Sequence, residues 1–439
     1  MDAERPFWNP EMETLPADRM RSLQEGRLLA RLPLAWAGSS LLRREWKAAG
    51  VHPGDIRSLE DFRRAVPTVH KEMVRQVRDD DGDPYGGMSL LPADLPCDVH
   101  TSSGTTGAPT FLPITERDRS IFAESLARHL WAAGLRPGGV ASLSLALYLR
   151  PVWSMADAAR RIGARVTFTD WPDLPRVVQT FRFLKPDVHA FLSPPQAIGL
   201  RGEIARLGLD PKELLGGTKG FVWAGDALTP KSRRLVDEEW GSEAFELSGT
   251  GDLCFMMQEC GHHDGLHMHD DLWFVEVVEP GTTTPVGEGE RGEFLFTSLM
   301  DESLAFIRWR SEDIGTATTE PCACGRTNTR LHFLGRVGYR VRVAGRTVFP
   351  VEVQRVLELW PEVDHGLFQI VRTGPDMETL HLRVGTREGE IADPRGLLPR
   401  IEASLEEALR LPTRIELVDA ETLLALGPPH KIPRIHEAG

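Results

Sequence analysis

The sequence predicts an α/β protein: a large N-terminal layered α/β domain with a β-meander (residues 1–336), followed by a small C-terminal α+β domain (337–439). Three observations carry the prediction. From about residue 117 to 240, apolar runs such as VASLSLALYL (140–149) and KGFVWAG (219–225) alternate with helical stretches such as RSIFAESLARHLWAAG (119–134), the order expected of layered strand and helix units. Over 265–300 the pattern changes to short runs with polar alternation, LWFVEVVEP and GEFLFTSL, separated by Gly and Pro turns, which reads as a meander. After Arg336 the order is strand (YRVRVAG), helix (PVEVQRVLELW), strand (GLFQIVRTG), strand (TLHLRVGT), helix (LLPRIEASLEEALR) and strand (TRIELVDA), about 100 residues that suit a small domain.

Ahead of these elements, residues 18–49 carry helical apolar spacing, and the polar stretch 76–97 leads into a Ser/Thr/Gly-rich turn. The junction near Gly335–Gly338 is short and glycine-containing, as a hinge would be. No internal repeat is visible.

Composition narrows the function classes. With 439 residues, 41% hydrophobic, the chain is long enough to bury a large core and divide in two. No stretch approaches the roughly 20 apolar residues that span a bilayer, and the first residues are acidic and proline-broken, so a cytoplasmic location and no membrane partner are expected. A net charge of -13 argues against nucleic acid as a partner, because that affinity rests on Lys and Arg neutralising phosphates. The five cysteines do not read as a disulfide framework.

The strongest motif is TSSGTTGAPT (101–110). Gly104 and Gly107 let backbone N–H groups turn inward, and Ser102, Ser103, Thr105 and Thr106 add hydroxyl donors, a composition suited to wrapping a phosphate. It lacks the terminal Gly-Lys-Ser/Thr of the P-loop. A polar surface turn is the alternative for such a run taken alone.

This segment resembles the phosphate loop of the adenylate-forming superfamily, and its details look like the phenylacetate-CoA ligase branch. The resemblance extends over nearly the whole chain, through LQEGRLL (23–29), AAGVHPGDIRSLEDF (48–62), ECGHHDGLH (259–267), IRWRSEDIG (307–315), PCACGRT (321–327), LGRVGYRVRVAGRTVFPVEV (334–353) and HKIPR (430–434). It implies an ATP site at which a carboxylate attacks the α-phosphorus. WAGDALT (223–229) is similar to the adenine-contacting segment, which assigns Gly225, Asp226 and Ala227 to the base. Asp313 matches the acid that binds the ribose hydroxyls, and Arg336 an arginine that approaches ribose and phosphate. SGTGD (248–252) stands where the family has an aromatic, Gly, any residue, Thr and Glu. That assigns Ser248, Gly249 and Thr250 to the nucleotide and Asp252 to Mg²⁺, with Ser248, Gly251 and Asp252 departing from the pattern. Ala108 replaces a lysine common in relatives. Lys431 matches the lysine that swings in with a mobile C-terminal domain to serve carboxylate and α-phosphate. Gly338 stands near the expected hinge acid.

Cys260, His267, Cys322 and Cys324 form Cys-x6-His followed about 55 residues later by Cys-x-Cys, a donor set that satisfies tetrahedral Zn²⁺ in a structural role. Separate buried cysteines are the alternative, and His262, His263 and His269 compete as ligands. Cys97 and Cys254 are expected in the interior.

The acyl pocket is expected around 145–155 and 192–199, with Tyr148, Trp153 and Gly249 as lining residues and Met155 as a further candidate; core packing is the equal alternative for the aromatic residues. Arg150 invites a polar substituent on the acid. The reading is activation of a small, aromatic carboxylic acid with ATP, Mg²⁺ and CoA. The alternatives are transfer to a carrier protein or an amine, and a degenerate nucleotide-binding relative. Assembly as a homodimer stays open.

Overall fold

The helical spacing over 18–49 resolves into two helices, Ala17–Gly38 and Ser40–Ala48. The break falls at Ser39, where the backbone is extended and the hydroxyl accepts the Leu42 N–H at 3.1 Å, the capping geometry that starts a new helix. The computed structural model describes residues 4–438 apart from 93, 96, 102–109, 145–149, 170–172, 251–252, 364–365, 387–393 and 427–431, with backbone alone at 150, 151, 250, 394 and 395.

The chain divides into two compact units. The first comprises Met1–Thr169, Pro186–Ala190 and Phe245–Phe333. Its parallel strands Val140–Leu143 and Arg165–Phe168 pair in register, and Val140–Leu143 also pairs with residues 188–190. The run read as a ten-residue strand is therefore a strand of four, after which 145–149 lie outside the described residues. Helix Glu116–Ala132 is closed at its start by a capping box in which Thr115 and Asp118 satisfy each other's backbone N–H groups.

The meander is present. Strands Trp273–Val278, Gly292–Ser298 and Trp309–Thr318 pair antiparallel in sequence order. A second ladder runs through residues 247–250, strand Cys254–Gln258, strand Leu266–Met268 and residues 330–331. One buried apolar cluster extends from Leu28, Trp46 and Phe62 to Trp273, Phe296 and Leu331, and ion pairs interrupt the interior of this unit. Arg308 binds Glu276 through Nε at 3.1 Å and Nη2 at 3.0 Å, with both side chains buried.

The second unit comprises Asp170–Lys185, Phe191–Ala244 and Leu334–Gly439. Helices Leu174–Leu184 and Pro194–Arg206 share an apolar cluster with strand Gly220–Trp223 and Trp240. Its C-terminal portion is the α+β assembly the sequence predicts. A four-stranded sheet has the order Thr413–Asp419, Leu380–Thr386, Phe368–Arg372, Ile435–Glu437, with helices Pro350–Leu357 and Pro394–Leu409 contributing to the core. Three elements went unread: strand Arg346–Val348, helix Ala420–Leu424 and strand Ile435–Glu437. Each is five residues or fewer, too short for periodicity to register. Helix Pro350–Leu357 stops short of the predicted LELW end.

Among the described residues no helix is long and apolar enough to cross a membrane.

Burial pushes the Glu276 carboxyl up while Arg308 opposes it, so removing the arginine would leave an uncompensated buried acid. Arg308→Met should lower the unfolding free energy by about 3 kcal/mol or more in urea titrations, and a loss under about 1 kcal/mol would show that the pair does not stabilise the fold.

Candidate active site and metal centre

The segment 102–109 and the residues Tyr148, Asp252 and Lys431 lie outside the described residues, so the structure reports on the flanks of those motifs. Around the phosphate loop, Asp98–Thr101 and Phe111–Ile114 pair antiparallel, with Thr101 opposite Phe111; both ends of the loop are fixed to one hairpin.

The segment 223–229, expected at adenine, leaves the end of strand Gly220–Trp223, whose four residues are all buried. Gly225 turns the chain with φ of 94°, a left-handed conformation that favours glycine. The indole N–H of Trp223 donates to the Asp226 carbonyl at 3.1 Å, and the Asp226 carboxylate accepts the Ala227 N–H at 3.0 Å through Oδ1. Its Oδ2 accepts from Arg434 Nη2 at 2.6 Å. Both carboxylate oxygens thus hold the turn.

Ser248, Gly249 and Thr250 end the strand Ala244–Thr250, and the register against Cys254–Gln258 shifts between Ser248 and Gly249. A Cβ on Gly249 would lie 2.2 Å from the Cys254 carbonyl oxygen, so no other residue fits without moving the backbone. Cys254 carries φ of 83° within its strand. The irregularity directly precedes residues 251–252, which lie outside the described residues.

Asp313 owes its place to a bulge. Glu293 pairs with Ile314 and Leu295 with Arg310, so Ser311, Glu312 and Asp313 stand opposite Phe294 alone. Glu312 takes a positive φ of 64°, the Ser311 hydroxyl donates to the Phe294 carbonyl at 3.1 Å, and the Asp313 N–H donates back to Ser311 Oγ at 3.1 Å. Arg336 ends strand Arg330–Arg336, its guanidinium 6.0 Å from the Tyr339 ring, directly after Gly335 with φ of 144°. Ser248, Gly249, Thr250 and Asp313 belong to the first unit, and Gly225, Asp226, Ala227 and Arg336 to the second.

Of the acyl-pocket candidates, Met155 is fully buried in the core. Trp153 is 38% exposed and tilted against Phe168 with ring centroids 6.1 Å apart.

The four predicted metal ligands converge. One donor atom from each of Cys260, His267, Cys322 and Cys324 lies within 4.8 Å of the others. Cys260 Sγ is 3.8 Å from Cys322 Sγ, and Cys324 Sγ is 3.6 Å from His267 Nε2. A tetrahedron with Zn–S near 2.3 Å and Zn–N near 2.0–2.1 Å has edges of about 3.8 Å between sulfurs and about 3.6 Å between sulfur and nitrogen, so these two separations match zinc edges. The competing histidines point elsewhere: His262 is exposed, His263 Nδ1 faces Glu259 at 3.3 Å, and His269 Nδ1 meets Ser125 Oγ at 2.6 Å. Cys254 is buried as expected, whereas Cys97, expected in the interior, is only half-buried, just before strand Asp98–Thr101.

The hydrogen bond from Cys260 draws the Cys324 thiol far below its ordinary range, and the same contact, with burial, pushes Cys260 up. The sequence reading missed the residues that support this cluster. Arg326 donates its backbone N–H to Cys324 Sγ at 3.5 Å and its Nη1 at 3.6 Å, and its Nε to Glu13 Oε2 at 2.8 Å. Thr327 binds the carbonyls of Glu13 and Leu15, and Asn328 that of Met12. The cysteine turn therefore holds the N-terminal segment in place. Behind it lies a buried polar layer in which burial pushes His129 down to about 4 and Asp270 up to about 7.

No family model matches the chain. Among curated proteins, it is 32% identical over 388 residues to the phenylacetate-coenzyme A ligase of Thermus thermophilus, covering 87% of this chain and 85% of that protein. It is 30% identical over 363 residues to the enzyme of that name from Pseudomonas putida, covering 80% and 78%. Among solved structures it resembles a 2-hydroxyisobutyryl-CoA ligase in the postadenylation state in complex with R3-HIB-AMP, with a TM-score of 0.90, 26% identity, and coverage of 100% of this chain and 94% of that one. Fold and relatives together define an acid–thiol ligase of the AMP-forming class. The chain belongs to the phenylacetate-coenzyme A ligase family.

Because a Cβ at Gly249 has no room, Gly249→Ala should lower thermal stability by on the order of 2 kcal/mol and weaken ATP binding in calorimetry; an unchanged melting temperature would mean that the strand accommodates the methyl group.

Proposed function

We propose that this chain activates a small carboxylic acid, aromatic by preference, to its acyl-AMP and transfers the acyl group to the thiol of CoA. The observation that carries the proposal is the match, over the full length of the chain, to a ligase solved with an acyl-AMP. Retention of Asp313, Arg336 and Lys431 at the matching motif positions supports it. In the first step a carboxylate oxygen forms a bond to the α-phosphorus of ATP, and the bond to pyrophosphate breaks, pyrophosphate leaving with the electron pair. In the second the CoA thiol loses its proton and sulfur bonds to the acyl carbon, while AMP leaves with the electrons of the broken C–O bond.

The backbone of Gly225 and Ala227 would face adenine, and the paired oxygens of Asp313 suit the two ribose hydroxyls. The hydroxyls and N–H groups of 102–107 would take the β- and γ-phosphates, and Arg336 and Lys431 would meet the negative charge that builds at the α-phosphoryl group. Asp252 is the residue offered to Mg²⁺. We assign residues 337–439 as a lid that presents Lys431 for the first step and turns for the second. CoA is preferred over a carrier protein because both curated relatives bear the name of coenzyme A ligases. A cytoplasmic site of action follows from those substrates.

Cys260, His267, Cys322 and Cys324 would hold a structural Zn²⁺. Four protein donors fill a tetrahedron and leave no position for substrate, so the ion braces the turn and takes no part in catalysis. Cys322→Ser should lose bound zinc and melting temperature together, and zinc stoichiometry unchanged by atomic emission would overturn the assignment.

Acid-dependent exchange of pyrophosphate into ATP, run over aryl, aliphatic and hydroxy acids without an acceptor, tests the activity. Lys431→Ala should suppress exchange by about 100-fold while retaining most thioester formation from supplied acyl-AMP, the loss expected when one electrostatic contact to the transition state goes. Equal loss in both steps would count against the lid assignment.

A further inference from the structure

Resting on that reading, we infer that Arg434 is a positioning residue for the adenylation step: its ion pair with Asp226 ties the chain that carries Lys431 to the adenine-contacting turn. Arg434 is 4% exposed and its guanidinium is committed on three sides. Nη2 donates to Asp226 Oδ2 at 2.6 Å, Nη1 donates to the carbonyls of Gly366 and Phe368, and the planar group lies 4.7 Å from the centre of the Phe368 ring. The backbone is fixed as well. The Ile370 N–H donates to the Arg434 carbonyl at 2.8 Å, and Ile435–Glu437 continues as a parallel strand beside Phe368–Arg372.

On the other side of the pair, Asp226 Oδ1 is already occupied by the Ala227 N–H, so Arg434 takes the remaining oxygen of a residue that shapes the turn. Arg434 stands three positions after Lys431, within the same HKIPR motif. Ile432, between them, is buried in one apolar cluster with Ile198, Leu367, Ala420 and Leu423, which fixes the intervening chain.

A second contact brackets the same turn. Five residues after Asp226, Lys231 donates Nζ to the carbonyls of Trp360 at 2.9 Å and Val363, and its N–H meets Glu358 Oε2 at 3.3 Å. Three carbonyls gathered at the end of helix Pro350–Leu357 suit one ammonium group. Lys231 binds neutral carbonyls and the carboxylate of Glu358. Among the described residues, Arg434 joins the turn to the segment that carries Lys431 by a charge-assisted bond, so adenine contact and lysine placement are coupled through it. In the arrangement that forms the thioester, Lys431 is not needed and the pair is free to open.

The test separates the two half-reactions in the full-length, zinc-loaded protein. Arg434→Gln should reduce acid-dependent ATP–pyrophosphate exchange by about tenfold or more, as for one lost charge-assisted hydrogen bond, with thioester formation from supplied acyl-AMP changed less than about twofold. Arg434→Lys, which keeps the charge, should recover part of the exchange. In a double-mutant cycle with Asp226→Asn, the two substitutions should be non-additive in exchange and additive in thioester formation. Equal losses in both half-reactions, or additivity in exchange, would overturn the positioning role and leave Arg434 a structural ion pair. Should Arg434→Gln fail to fold, the cycle run with Arg434→Lys decides. Exchange by the wild-type chain establishes the underlying activity; its absence with every acid tried would overturn that activity and this inference together, whereas exchange unaltered in the variants would overturn the inference alone.

Discussion

Three sulfurs and an imidazole nitrogen within 4.8 Å of one another make a constraint on which much of the first unit depends. The donors come from just past the end of strand Cys254–Gln258, the middle of strand Leu266–Met268 and a turn far along the chain, so the cluster ties that turn to neighbouring strands of one ladder. The arrangement needs a positive centre or shared protons, because thiolates left alone would repel. Arg326 extends the constraint outward. Its guanidinium lies between Cys324 and Glu13, and Glu13 in turn accepts the Asn9 N–H at 2.8 Å. An N-terminal segment with little core of its own is thereby docked by polar contacts converging on one cysteine turn.

The two halves of the proposed active site solve a shared problem by different means. A nucleotide needs backbone and side-chain groups at fixed angles, yet regular strands place side chains alternately on opposite faces. At Ser248–Gly249 the ladder shifts and a glycine lets the neighbouring carbonyl approach. Around Asp313 three residues face one. At Gly225 a left-handed residue ends a buried strand and a carboxylate fastens the turn that follows. Each irregularity is held by hydrogen bonds of its own, which keeps it from relaxing into a straight strand.

Much of this was legible in the sequence because long periodic runs and spaced donors leave a record. The helices over 18–49 and 116–132, the meander, and the Cys-x6-His and Cys-x-Cys pieces are all local patterns. What was missed is non-local or too short. Strand Ile435–Glu437 is three residues long and exists because Phe368–Arg372 offers it an edge. Glu13 and Arg434 look like surface charges in a linear reading, since nothing nearby in sequence announces the partners 313 and 208 residues away that bury them. Cys97 was placed inside on residue type alone, and it is half-buried, just ahead of a strand whose first two residues are exposed. The HKIPR segment drew the eye to its lysine, while the arginine in the same motif makes the contact that the structure displays.

The bulge at Ser311–Asp313 has a consequence for how such a site diversifies. In an uninterrupted strand, inserting or deleting a residue reverses which side chains face the interior for the rest of its length. Here the extra residues form a detour bounded by paired positions on either side, Arg310 before it and Ile314 after it. Sequence drift within the detour leaves the flanking register untouched. A lineage can therefore alter what it presents to a ligand at this place while inheriting the same interior, which separates the history of recognition from the history of the fold.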